Sequence, residues 1–302
     1  MHIPSSMLQG GICPLTAMVS VAGVAWAAFK AYFSEHKPSS SRFAAITALI
    51  FAGQMMNFPI NGGTSGHLLG GVLAVALLGI PFGILSIAVV VTIQCLVFAD
   101  GGFSVLGANI LNMAVIGAGF GGFVLAFLNK RFSTKPINYS LSLGIAAWIS
   151  LMAAVLFCSI ELAVSGTIPF SKVIGAMFGT HAFIGIGEGL ITVAACFVFA
   201  SESIRVSRKK SVTVPLLAAG IIAFVLSPFA SGLPDGLEWV AERYQFFHEA
   251  SPTFVAPLPD YTLPAVSNEI LTTGLAGLAG VLITFSIAWF IAKLLYKSEQ
   301  LA

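Results

Sequence analysis

The chain has 302 residues, of which 57% are hydrophobic and only 9% charged, with a formal net charge of +2. Soluble domains carry about 25% charged residues, so this composition excludes an ordinary soluble globule. The basic residues are scattered rather than gathered on one face, which excludes a nucleic-acid binder.

A chain this apolar must bury its length in lipid, where only helices or closed barrels satisfy the backbone. Apolar runs of about 20 residues select helices. In chain order, hydropathy predicts segments near 14–33, 43–58, 66–79, 82–98, 106–128, 138–162, 172–200, 212–230 and 270–296, with the Gly-rich third a broken or partial span. The expected fold class is all-α: a polytopic transmembrane helical bundle of roughly seven spans plus a C-terminal two-helix hairpin. Two parts are expected, a compact core over 1–210 and a hairpin over 211–302 with an external loop at 231–268. A loop of that length is usually functional.

The topology follows from the charges. With the N-terminus outside and every segment crossing, Lys30, Lys37, Arg42, Lys130, Arg131, Lys135, Arg205, Arg208, Lys209, Lys210, Lys293 and Lys297 fall on the cytoplasmic side, and only Lys172 and Arg243 fall outside. The positive-inside rule expects this distribution. Most acidic residues, among them Asp100, Glu161 and Asp235, sort to the outer side, where they would concentrate cations. No secretory signal peptide is expected, because the first basic residue is Lys30, and the mature chain is expected to begin at Met1. Cys13, Cys95, Cys158 and Cys196 stand singly in or beside apolar runs and read as small buried residues.

Of the five histidines (His2, His36, His67, His181 and His248), His2 has special chemistry. With a free Met1 amine, the amine and the deprotonated amide nitrogen of His2 close a five-membered chelate ring. That amide nitrogen and Nδ1 of the same imidazole close a six-membered one. Three nitrogens then lie nearly in one plane with one corner open, a set that suits Ni(II) or Cu(II). His67, in NFPINGGTSGHLLGG, is the expected fourth ligand, and Gly62, Gly63 and Gly66 are expected to let the N-terminal strand pass close by. Asn57, Asn61, Thr64, Ser65, Gln94, Asn109 and Asn112 are candidates to orient the imidazoles, although any single one of them reads better as an inter-helix hydrogen bond. His181 and Glu188 share one helical face and read as a buried structural pair, a proton relay or a second metal station.

Other motifs lead elsewhere. GAGFGG at 117–122 lies inside an apolar run with no strand before it, so Gly117 and Gly121 read as small-residue helix packing. Neither HExxH nor a Walker A loop occurs. If the protein pumps, a partner supplies the ATPase. The alternative function is an intramembrane enzyme or redox protein using His181 and Glu188.

MHIP, NFPINGGTSGHLLGG, QCLVFADGGFSVLGANILNM and HAFIGIGEGLIT together resemble the CbiM/NikM family over about 1–200, and SGLPDGLEW resembles the PDGLE domain over about 212–302. The resemblance implies the substrate-binding membrane component of an energy-coupling-factor importer in a bacterial or archaeal plasma membrane. Its transported substrate would be Ni²⁺ or Co²⁺, and its partners a transmembrane coupling (T) subunit and ATP-binding cassette subunits. It also implies a metal site made of Met1, His2 and His67, and no enzymatic activity. Such units are thought to dock through small-residue faces, for which Ala44, Ala48 and Ala52 are candidates beside their reading as internal packing. One departure stands out: Ser5, Ser6 and Met7 follow MHIP where the family has an acidic residue, Gly and an aromatic.

Overall fold

The computed structural model describes residues 1–60, 62–132, 136–205, 210–246 and 254–296. Predicted Asn61 and His248 lie outside them. Among the described residues, seven helices are long and apolar enough to cross a membrane: Ile12–Tyr32, Ile80–Phe98, Phe103–Phe132, Ile137–Val164, Phe170–Phe199, Val212–Phe229 and Glu269–Tyr296. The all-α polytopic bundle is therefore borne out, with one small exception. Strands β1 (Phe58–Ile60) and β2 (Thr64–Gly66) form an antiparallel hairpin.

Helix α1 (Ile12–Tyr32) lies at the periphery, presenting Leu15, Met18, Val21 and Phe29 outward. Helix α2 (Ser40–Gln54) is its opposite, buried from Phe43 to Ala52. The predicted span 43–58 is corrected here, and the expected partial span at 66–79 is found. α2 stops at Gln54, and 66–79 holds only α3 (Gly71–Leu78), reached through a left-handed Gly70. Eight residues rise about 12 Å, well short of the roughly 30 Å of hydrocarbon. This half-span survives because it is enclosed. The Arg42 guanidinium donates to Leu77 O near its C-terminal end, and a Cβ on Gly71 would sit 2.5 Å from the carbonyl carbon of Gly117. Gly117 thus packs a helix closely, as its spacing predicts.

Helix α4 (Ile80–Phe98) returns towards the N-terminal end of the bundle. Next come α5 (Leu106–Ile110), a π-helical stretch (Leu111–Phe120) and α6 (Gly121–Phe132), followed by the long α7 (Pro136–Val164) and α8 (Phe170–Arg205). Helix α9 (Lys210–Ile221) runs into a second π-helical stretch, α10 (Gly236–Arg243) is a short helix, and α11 (Glu269–Tyr296) closes the chain.

The C-terminal hairpin packs on the core. A Cβ on Gly280 would lie 2.3 Å from the Phe51 ring, so α11 lies directly on α2. Ala44, Ala48 and Ala52 are consequently fully buried inside the chain, and the small-residue face of α2 is used for internal packing. At one end of the bundle, Lys37 lies over the rings of Tyr32 and Tyr296. Residues 230–246 and 254–263 cover the other end: Ser231 N donates to Asn57 O, Ser65 N to Pro234 O and Leu258 N to Val97 O.

Candidate functional site

Residues 1–8 run as an irregular strand over the covered end of the bundle. Asn109 grips it in the manner of a paired strand, accepting from Ile3 N (2.8 Å) and donating to Ile3 O (3.1 Å), while Gly102 N also donates to Ile3 O. Thr167 Oγ1 donates to Met7 O and Gln9 N donates to Ser165 Oγ. Backbone contacts and a fully buried Met7 thus anchor the strand.

The glycines that admit it are not the predicted ones. A Cβ at Gly62 or Gly63 meets nothing within 4 Å, and one at Gly66 meets Ile184. At Gly102 it would lie 2.2 Å from Ser5 N, and at Gly101 3.4 Å from His2 Cβ. Gly62 and Gly63 serve the hairpin turn, where φ is positive, and the ADGG loop makes room for the strand.

The anchoring buries Met1 and His2 beside His67. The Met1 amine contacts His67 Nε2 and lies 3.0 Å from Asp235 Oδ2. His67 Nδ1 faces its neighbour's carbonyl, Leu68 O, at 3.0 Å. The proton of a neutral ring therefore sits on Nδ1, and Nε2 turns its lone pair to the amine. The His2 and His67 rings stack with centroids 5.2 Å apart and planes 16° from parallel. His2 Nε2 lies 3.1 Å from Gln94 Oε1, and His2 Nδ1 lies 3.1 Å from Asp100 Oδ1.

Burial lowers the pKa of both rings. At His2 the Asp100 carboxylate opposes the shift; at His67 the nearby Met1 amine and His2 reinforce it, bringing the value to about 3. Asp235 moves the other way. Burial alone would raise its pKa, but the Met1 amine and His67 hold it below the usual carboxylate range.

Asp235 is placed by local sequence. As N-cap of α10, its Oδ1 accepts from Leu237 N and Glu238 N while Glu238 Oε2 accepts from Asp235 N, a complete capping box. Oδ2 is left for the amine. Thr64 and Ser65 act through this segment: Thr64 Oγ1 donates to Pro234 O, and Ser65 Oγ donates to Leu233 O.

The other predicted residues divide. Gln94 and Asn109 touch the first three residues directly, as described. Asn57 contributes only its carbonyl to Ser231, and Asn112 pairs with Glu161 at 2.6 Å, away from the histidines. His181 and Glu188 do not form the expected pair. Glu188 accepts from Leu69 N (2.6 Å) and Gly70 N (3.0 Å), holding the start of α3, where a carboxylate also suits the helix dipole. His181 Nδ1 faces Met177 O, and its ring packs on Gly236. It lines a small cavity with Met1, His67, Leu69, Ile184 and Asp235.

Sequence reading missed Asp100, Asp235 and Tyr261. The first two were visible only as outer-side charge, and Tyr261 carried no signal at all. Among the described residues no group of three or more His, Cys, Asp or Glu side chains is placed to hold a metal ion.

Residues 2–206 match the family described as the cobalt uptake substrate-specific transmembrane region (CbiM), and residues 209–297 match the PDGLE domain. The chain belongs to the CbiM family. It is similar to the putative fused nickel transport protein NikMN of Archaeoglobus fulgidus, 36% identical over 97% of this chain and 98% of that one. It is also similar to the fused nickel transport protein NikMN of Rhodobacter capsulatus, 28% identical over 93% and 94%. Among solved structures, the CbiM-family core resembles a truncated transition metal transporter (TM-score 0.59, 30% identity, 67% of this chain and 99% of that one). A second transition metal transporter gives a TM-score of 0.60 at 28% identity over 70% and 96%. These relatives are transport proteins, and the intramembrane enzyme or redox protein built on His181 and Glu188 is set aside.

Proposed function

We propose that this CbiM-family chain captures a divalent nickel or cobalt ion, with nickel favoured, and passes it inward as transported substrate. The ligands in this reading are the Met1 amine, the deprotonated amide nitrogen and imidazole of His2, and Nε2 of His67. The observation that carries it is the burial of the Met1 amine against His67 Nε2 with the His2 ring stacked alongside. Two residues at the start of the chain are thereby gathered with an imidazole from the β2–α3 connection.

Nickel is favoured because a flat four-nitrogen set suits Ni(II) and because relatives matching almost the whole chain are nickel transport proteins. Capture at the outer face of the plasma membrane is supported by the positive-inside pattern: Lys30, Lys37, Arg42, Lys130, Arg131 and Lys293 belong to helix ends and connections remote from Met1. The chain carries no Walker A sequence, so in this reading a coupling subunit and ATP-binding cassette subunits drive transport, as in an energy-coupling-factor importer.

The experiment is acetylation of the Met1 amine. It converts the amine into an amide and should abolish nickel binding, read by equilibrium dialysis on purified full-length protein, while the helical fold survives. Tight nickel binding by the acetylated protein would overturn the chelate.

A further inference from the structure

Resting on that metal-binding reading, we propose that Tyr261 is the positioning residue that fixes the His2 ring for the cation, through Asp100 and Gln94. Its phenol touches both side chains that address the imidazole. The hydroxyl donates to Asp100 Oδ2 at 2.7 Å and accepts from Gln94 Nε2 at 3.4 Å. Asp100 Oδ1 faces His2 Nδ1 and Gln94 Oε1 faces His2 Nε2, each at 3.1 Å. His2, Asp100, Tyr261 and Gln94 therefore close a ring.

The direction of the bonds around that ring follows from donor inventory. A phenol has one proton to give, and a carboxylate can only accept, so that proton goes to Asp100. The phenol oxygen then accepts from the amide of Gln94. With its nitrogen turned to Tyr261, Gln94 offers oxygen to His2 Nε2, while Asp100 Oδ1 faces Nδ1 at 3.1 Å. Both ring nitrogens therefore meet acceptors, and the ring is gripped on two sides. Nδ1 is the atom that closes the six-membered chelate ring, and a cation there takes the place of a proton beside Asp100 while Nε2–H keeps its bond to Gln94.

Backbone conformation singles out the same residue. Asp260 and Tyr261 are consecutive non-glycine residues at φ +52° and +54°, a left-handed conformation that is strained for such residues and persists only where the surroundings enforce it. Here they do. Leu258 N is tied to Val97 O and Thr262 N to Pro259 O, and Thr272 Oγ1 bonds both N and O of Leu263. The Tyr261 ring stacks on Phe98, with centroids 4.5 Å apart and planes 17° from parallel. The strained turn thus drives the phenol inward under the ADGG loop, and the C-terminal segment governs His2 without touching it.

The test is Tyr261→Phe in the full-length protein with an unmodified N-terminus, using Ni²⁺ alone as probe. Phenylalanine keeps the stack on Phe98 and removes only the hydroxyl. In metal-free protein ¹⁵N-labelled at histidine, the His2 ring nitrogens should keep fixed hydrogen-bonded shifts in the wild type, and Y261F should move and broaden them. Ni²⁺ affinity should fall roughly ten- to a hundredfold, the range for partners that orient metal-binding imidazoles, and the visible spectrum of bound Ni²⁺ should shift. Phe98→Leu, which loses the stack alone, should lower the thermal midpoint and leave the His2 ring shifts unchanged. A Y261F protein with wild-type affinity and wild-type His2 ring shifts overturns the role of Tyr261 and leaves the chelate standing. A wild-type chain that binds no Ni²⁺ overturns both.

Discussion

Two pairs of polar groups stood out in the sequence, and the fold treats them differently. His181 and Glu188 sit on one helix and face one way, yet each bonds elsewhere: Glu188 to the amides of Leu69 and Gly70, His181 to Met177 O. His2 and His67, far apart in the chain, stack on each other. A buried carboxylate goes first to orphaned backbone donors, and the start of a half-length helix supplies them. Proximity along a helix makes a pair available. Whether it forms depends on what else needs those atoms.

The largest effect that tests this contrast comes from the loop that admits the N-terminal strand. Gly102→Ala puts a methyl group 2.2 Å from Ser5 N, so the strand must lift away from Asn109 and His67. Displacement of ligands by about 1 Å costs on the order of a hundredfold in processes that depend on their geometry, and a nickel-binding loss of at least that size is expected by dialysis. Gly62→Ala is the counterpart. Its Cβ meets nothing, so only backbone strain at positive φ is added, and nickel affinity should stay within about twofold while stability falls by about 1 kcal/mol. Equal losses in the two variants would return the strand-admitting role to the β-hairpin.

The next effect belongs to α8. Glu188→Ala leaves two buried backbone N–H groups unpaired at about 1–3 kcal/mol each, and the connection carrying His67 loosens with them. The thermal midpoint should drop by several degrees and nickel affinity by about tenfold, with Glu188→Gln in between because one acceptor oxygen survives. His181→Ala should change affinity by less than Glu188→Ala does. If His181→Ala abolishes metal uptake while His2→Ala spares it, the assignment of the two pairs is reversed.

Much of this was legible before the fold. Apolar runs gave the all-α bundle and most of its spans, because a lipid environment leaves the backbone so few options. Position 2 marked His2, since the chelate chemistry is local. Two failures share a cause. The predicted span 43–58 ran past the end of α2 at Gln54, where the chain turns into a hairpin that packs on distant residues. Asp235 and Tyr261 acquire their partners, and Asp100 gains its second, only when residues 230–246 and 254–263 fold over the end of the bundle. Such contacts depend on long-range packing, which periodicity does not encode.

A smaller effect comes from pH. Folded His67 titrates at about 3 and folded His2 below its ordinary value, whereas both bind a proton near 6.5 when unfolded. Between those limits the unfolded chain holds more protons, so stability falls as pH is lowered from 6.5. Asp235, with a folded value depressed below 3.8, adds stability that is present above its unfolded pKa and is lost as pH drops through the folded one. The metal-free thermal midpoint should therefore decline from pH 6.5 to 4 and more steeply below. His67→Ala should flatten the upper part of that curve. A midpoint constant from pH 6.5 to 4.5 in the wild type would mean that these rings are not buried as described.

The smallest effect separates placing Asp235 from merely covering the bundle end. Ser65 Oγ bonds Leu233 O and Pro234 O, and its backbone N–H bonds Pro234 O independently. Ser65→Ala removes the side-chain bonds and keeps the main-chain one. The cost should be about 1 kcal/mol, a shift of a few degrees in thermal midpoint. The capping box fixes the Asp235 carboxylate within α10 itself, so Oδ2 should still reach the Met1 amine and nickel affinity should change by less than about threefold. An affinity loss as large as that of Asp235→Asn would mean instead that β2, rather than the box at the start of α10, holds this carboxylate in place.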